Sequence, residues 1–427
     1  MKQLLLGGYG ASPAVAATNY HSLTTGLIWN AAEVYTIAPT AATLSRLRVM
    51  PVGGNYNTDG DDGFTFTLMV NGNPSTLTVT LTNAETDEQD TTHEVSSAKG
   101  DKLSLRSENV STPTGRVTWF SILCDTDDDY TSWICGGVEN DAASNTDVEY
   151  SGAQGSITWS TVEAGRRQVI PTDGLLTGLS VYMEDDPGVD NTVTYTVRID
   201  GVDTALAVTF DSGEQGTVLH DTASIDVTPG QVITISSTPF STPTDMPEYS
   251  SWGIAFAADV AGESVLMSGT ADDMNPAAAE YYPLGCRGLQ NWTTVRSGVS
   301  HMFGDACDLY DLYVLLLTAP DNGADTQSYQ FEVEDDTVDT LLSVTIEEAA
   351  TTGNNVANTV SIAAGSWVTM QQTPANTPVA SDGYWGMVMF IETPPVAGGS
   401  IVVNTVENVA AVNTVANIAA VNTVAVS

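Results

Sequence analysis

One pattern occurs three times along this chain, and that repetition limits it to three similar folding units in series. Trp29, Trp159 and Trp292 each sit in a similar stretch: LIWNAAEVYTIAPT, ITWSTVEAGRRQVIPT and LQNWTTVRSGVSHMFG. Trp119, Trp252 and Trp385 follow at equal spacing, in the apolar runs VTWFSIL, SSWGIAF and YWGMVMF. Between these markers stand Gly100, Gly230 and Gly365, and a Thr-Pro recurs at Pro113, Pro243 and Pro378. The copies span 1–131, 132–263 and 264–393, and a tail of different composition occupies 394–427.

Each copy reads as all-β. FTFTLMVNGNPSTLTVTL alternates apolar and polar residues about Asn71-Gly72, a strong hairpin signal. VTYTVRIDGVDTALAVTF repeats it about Asp200-Gly201, whereas YQFEVEDDTVDTLLSVTI puts Asp335-Asp336 at the turn with no glycine. Val, Thr, Ile and Tyr fill the runs, and Gly, Pro, Asn and Asp punctuate them. About eight short strands per copy predict three tandem jelly-roll-like β-sandwich modules followed by a short repetitive stem. MKQLLLGGYGASPAVAA has the look of a signal peptide, but its apolar core is only Leu4-Leu5-Leu6. QLLLGG also matches SWICGG and SVLMSG at the start of the other copies, so it is expected to be the retained first strand of the first module.

The 427 residues carry 12 Lys+Arg against 53 Asp+Glu, a formal net charge of -41. No basic patch exists to release counterions from DNA or to bind anionic lipid, and no apolar run is long enough for a membrane helix. A compact protein this acidic repels itself, and molar salt removes the penalty by shortening the Debye length to about 3 Å. Excess Asp with very few Lys is the pattern of proteins from extreme halophiles; a merely acidic marine or phage surface protein is the other reading. The charge is uneven. Residues 1–50 hold one acid, Glu33, against Lys2, Arg46 and Arg48, so this end of module 1 is expected to face a partner.

Residues able to do chemistry are few. His21, His93, His220 and His301 show no metal-ligand spacing and are expected in loops or on strand surfaces. No nucleophile elbow, P-loop or dinucleotide fingerprint occurs, and the chain is expected not to be an enzyme. Cys124/Cys135 and Cys286/Cys307 form local pairs that suit either short-loop disulfides or free buried thiols. Asp59, Asp61 and Asp62 in NYNTDGDDGF, and Asp125, Asp127 and Asp128 in DTDDDY, are weak calcium candidates without the EF-hand spacing. No cofactor is required by the sequence, and bound Ca²⁺ or monovalent cations are the only ones it suggests. The recurrent tryptophans, Trp29, Trp159, Trp292, Trp119, Trp252 and Trp385, read as core rather than as sugar platforms.

After Pro394-Pro395 and Gly398-Gly399, the tail IVVNTVENVAAVNTVANIAAVNTVAVS places an aliphatic residue at every third position. That row gives no single helical stripe, and a homotrimeric stem would bury it. The VNTV repeats resemble the stalk segments of tailed-phage tail-fibre proteins. The body, with its VNG and IDGVDTALAVT hairpins and its AKGD and TPGQ turns, resembles modules in proteins near phage structural genes and the trimer-forming jelly rolls of the C1q/TNF type. The resemblance implies a virion protein of a haloarchaeal tailed virus: a homotrimeric tail fibre, spike, turret or capsid decoration, extracellular and in brine. Residues 1–50 and the tail would bind other virion proteins, and a host glycan or glycoprotein would be the external partner. A haloarchaeal cell-surface or filament protein is the alternative, and a polysaccharide-degrading tailspike a weaker one.

Overall fold

The computed structural model describes residues 1–391 apart from 10–11, 16, 25–28, 57–61, 83–84, 140, 157, 245, 247, 271, 286–290, 322 and 324–325. The stem expected at 394–427 lies outside the described residues. No α-helix occurs among those described; two short 3₁₀ turns and antiparallel strands make up the regular structure.

Module 1 contains β1 (Lys2–Tyr9), β2 (Asn19–His21), β3 (Thr36–Ile37), β4 (Ala42–Pro51), β5 (Gly63–Val70), β6 (Asn73–Thr82), β7 (Glu88–Gln89), β8 (Glu94–Ser97), β9 (Lys102–Val110) and β10 (Thr118–Thr126). One sheet runs β1-β10-β4-β7, with β8 continuing along β4; the other runs β2-β9-β5-β6, with β3 along β9. Taking β2 with β3 and β7 with β8 leaves eight positions, first-eighth-third-sixth against second-seventh-fourth-fifth. That winding is a jelly roll.

Module 2 repeats it with β11 (Thr131–Glu139), β12 (Glu149–Gly152), β13 (Gln168–Val169), β14 (Gly174–Met183), β15 (Thr192–Ile199), β16 (Val202–Phe210), β17 (Gly216–His220), β18 (Ile225–Val227), β19 (Val232–Phe240) and β20 (Tyr249–Ala258). Its sheets are β11-β20-β14-β17 with β18, and β12-β19-β15-β16 with β13. Module 3 has β21 (Glu263–Thr270), β22 (Glu280–Pro283), β23 (His301–Met302), β24 (Cys307–Leu316), β25 (Ser328–Asp335), β26 (Val338–Glu347), β27 (Thr352–Ile362), β28 (Trp367–Ala375) and β29 (Gly383–Phe390). Here the sheets are β21-β29-β24-β27 and β22-β28-β25-β26 with β23, and the sixth position is the unbroken β27.

The repetition extends to single hydrogen bonds. The residue that opens each central hairpin turn, Asn71, Asp200 or Asp336, donates its N–H to the carbonyl of Lys102, Val232 or Trp367. Its side chain then accepts the N–H of that same residue. In module 3 this places the turn at Asp336-Thr337 (φ 47° and 75°), one residue later than Asp335-Asp336. Both residues are left-handed, as at Asn71-Gly72 and Asp200-Gly201, so all three are type I′ turns. Gly100, Gly230 and Gly365 take φ between 84° and 92° in the turn before the seventh strand, a position that requires left-handed backbone.

The tryptophan markers need one correction. Trp252 and Trp385 pair with Gly136 and Ser268 and point into their cores. In module 1 the residue in that register is Phe120, paired with Gly7, and it joins the core with Ile122 and Cys124. Trp119 is one residue out of phase, and a one-residue slip puts a side chain on the opposite face of a sheet. Trp29, Trp159 and Trp292 are buried in the three cores as expected.

Candidate functional site

The outward faces of the first and eighth strands are where the modules meet. Trp133 and Cys135 of β11 belong to the core cluster of module 1. Val265 and Met267 of β21 belong to that of module 2, and Leu4 and Leu6 of β1, with Leu123, to that of module 3. Each module therefore buries part of the next, and the third buries part of the first. The cycle closes within one chain.

A second contact repeats with it. Strand β3 packs on β11 and β20, β13 on β21 and β29, and β23 on β1 and β10. A Cβ at Gly253 would overlap the Ile37 carbonyl, and one at Gly386 the Val169 carbonyl. Glycine is what lets these backbones touch. The third seam has Ser121 at this register, and its hydroxyl donates to the Met302 sulfur at 3.9 Å.

Polar contacts differ from seam to seam. At the first, Gln3 exchanges two 2.8 Å hydrogen bonds with the backbone of Trp133, whose indole N–H reaches Thr40 Oγ1 at 2.9 Å. Lys102 of module 1 lies 4.5 Å and 4.9 Å from the ring centroids of Tyr35 and of Tyr182 in module 2. At the second, Thr172 donates to Glu263 at 2.7 Å. At the third, Trp119 and His301 meet edge to face at 4.7 Å, and Arg46 pairs with Asp305. Arg48 is shared, with its guanidinium on Asp87 and beside Gly365 of module 3. Two of the three bases in the acid-poor first fifty residues thus turn toward the chain's own third module. Burial drives the His301 imidazole down to about 3, and its Nδ1 accepts the Gly285 N–H.

The sequence-selected residues fall as follows. Cys124 and Cys135 share the module 1 core as separate thiols, and Cys307 is likewise free and buried, so the disulfide reading fails for all three. They lie on strands of different modules, and burial pushes both thiols of the first pair far up, which keeps them protonated and unreactive. Cys286 lies outside the described residues. Asp59 and Asp61 do too, while Asp62 accepts the Thr112 N–H at 3.0 Å.

Asp127 and Asp128 form the turn between β10 and β11, which joins module 1 to module 2. Asp128 Oδ1 accepts the N–H groups of Tyr130 and Thr131. Burial raises that carboxyl, but these bonds outweigh it and leave it below its ordinary value. Asp125 lies on β10 beside the Met1 amine. Among the described residues no group of three or more His, Cys, Asp or Glu is placed to hold a metal ion. His93 and His220 are at the surface, as expected; His21 and His301 are buried, the first against Trp29 and Phe120 and the second under Trp119.

The seams went unread in the sequence, although a signal was present. Trp-Gly at 252–253 and 385–386 has its counterpart in Phe120-Ser121, and aligning small residue with small residue would have placed all three. No protein-family model and no curated protein matches the chain.

Proposed function

We propose that the chain is a structural, non-enzymatic protein of the virion of a halophilic tailed virus, a tail fibre, spike, turret or capsid decoration, acting in particle assembly and host-surface attachment. The observation that carries this reading is the closed cycle of seams. Three jelly rolls cover one another's first and eighth strands inside one chain, an arrangement that the resemblance to C1q/TNF-type trimers would place between separate subunits. A head built this way offers its outer loops and seams as working surfaces. Homotrimerisation of whole chains, in this reading, falls to the tail.

The charge supports a high-salt setting. Residues 132–263 hold 20 acids against 3 bases, and residues 264–393 hold 17 against 2. Dialysis from molar to millimolar salt should loosen these modules, seen as a fall in melting temperature; an unchanged melt would remove the halophilic part of the proposal.

The deciding experiment is electron microscopy of particles from a producing culture, labelled with antibody to module 2. Label at the tail tip makes the chain a receptor-binding fibre, and label over the head makes it a decoration or turret. Cells labelled without virions would establish the cell-surface alternative.

A further inference from the structure

The three seams are built from equivalent positions, and at the third these positions border a cavity. Lys102, Val232 and Trp367 each open the seventh strand, while Met50, Tyr182 and Leu315 each stand next to last in the third. At the first seam, Lys102 reaches across to Tyr182 and fills the space with its ammonium between two rings. At the third seam Trp367 faces the Met50 edge of module 1 across a cavity of about 280 Å³. Pro51, Val52 and Gly53 form one wall, and Arg296, Ser297 and Trp367 the other.

The lining determines what could enter. Trp367 is half-buried and supplies an apolar plane, and its indole N–H makes no hydrogen bond among the described residues. Arg296 gives Nε to Glu334 at 2.6 Å and Nη2 to the Trp367 carbonyl at 2.9 Å, which leaves Nη1 for a ligand. The Ser297 hydroxyl is exposed and also uncommitted. An apolar occupant would leave whichever of these donors it buried without a partner. An anion is disfavoured as well, because Glu334 already neutralises Arg296 and Asp335 adds a second carboxylate nearby.

A neutral pyranose meets both demands. One face of its ring is C–H and stacks on an indole, and its rim of hydroxyls accepts from fixed donors. The volume lies just below the roughly 300–1,000 Å³ of drug-sized ligand sites, enough for one sugar ring. We propose that the seam between modules 3 and 1 binds a neutral terminal sugar, with the Trp367 indole face as platform and Arg296 Nη1 and Ser297 Oγ as donors.

This rests on the host-attachment reading, yet the two fail separately, because sugar binding is measured on the isolated chain and attachment on particles. The test is saturation-transfer NMR in molar KCl with methyl α-glucoside, methyl α-mannoside and methyl β-galactoside. At least one sugar should receive saturation. Trp367→Ala should weaken it at least tenfold. Ser297→Trp, which fills the cavity from an exposed position, should abolish it at an unchanged melting temperature. Failure of all three sugars, or undiminished transfer to the Ser297→Trp variant, would overturn the proposal.

Discussion

All three seams bury side chains, but those between modules 1 and 2 and between modules 2 and 3 add a backbone contact at a glycine, where the seam between modules 3 and 1 has Ser121. In the first two, Gly253 and Gly386 admit a neighbouring carbonyl, and the flanking modules are also joined by short connections, 127–130 and 259–262. The third joins the two ends of the described chain with no such connection. There the contact comes from the ring pair Trp119–His301, the ion pair Arg46–Asp305 and the buried Leu4, Leu6 and Leu123. A tether supplies a high local concentration, so a tethered seam needs less contact energy to stay closed than an untethered one.

Trp119→Ala should therefore have the largest effect, about 3–5 kcal/mol, as for truncation of any fully buried tryptophan. Its counterpart Ser251, also buried, should cost under about 1 kcal/mol when changed to Ala. Urea unfolding of both variants makes the comparison. Equal losses would mean that Trp119 is ordinary core. Gly386→Ala comes next, at about 3 kcal/mol, because its methyl group must displace the Val169 backbone. Proteolysis should then cut at residues 259–262, between modules 2 and 3. Ser121→Ala, in the same register of the third seam, should cost under about 1 kcal/mol.

Acid should open the third seam selectively. His301 is held neutral by burial, with a folded pKa of about 3 against an ordinary value of 6.5. Unfolded chains therefore bind the extra proton first as pH falls. The stabilisation is complete above pH 6.5 and is lost between pH 6.5 and 3, by up to about 1.4 kcal/mol for each pH unit. His301→Gln places there the residue that module 2 has at Gln168, and it should flatten this part of the acid profile. Tryptophan fluorescence against pH reads the result. A slope identical to that of the unsubstituted chain would assign the acid sensitivity to carboxylates elsewhere.

How much of this was readable beforehand follows from the range of each interaction. The strands, the hairpins at Asn71 and Asp200 and the jelly-roll class were legible because alternation and turn chemistry are local. The seams were not, since Gly253 meets Ile37 only after two modules have folded. Trp119 misled for the same reason: VTWFSIL contains two adjacent aromatics, and only pairing with β1 decides which faces inward. Cys124 and Cys135 are close in sequence but lie on strands of different modules, which sequence spacing cannot reveal. The cavity was hidden most deeply, because it exists only where Trp367 of one module faces Met50 of another.

A small effect of the opposite sign should come from the hairpins, where module 3 has Thr337 in place of a glycine. Thr337 adopts φ 75° at a position occupied by Gly72 and Gly201 in the other two turns. A β-branched side chain in left-handed backbone costs roughly 1–2 kcal/mol, and glycine returns part of that as entropy lost on folding. Thr337→Gly should then stabilise the chain by about 1 kcal/mol, a rise in the urea midpoint at constant slope. Gly201→Thr should reverse the sign by a similar amount. If both substitutions proved neutral, the turn would not be under strain in module 3, and its departure from the other two would carry no energetic consequence. A gain confined to Thr337→Gly would show that the third module carries a strained turn that the first two avoid, although all three hairpins share the equivalent of the hydrogen bond that Trp367 N–H makes to Asp336 at 2.9 Å.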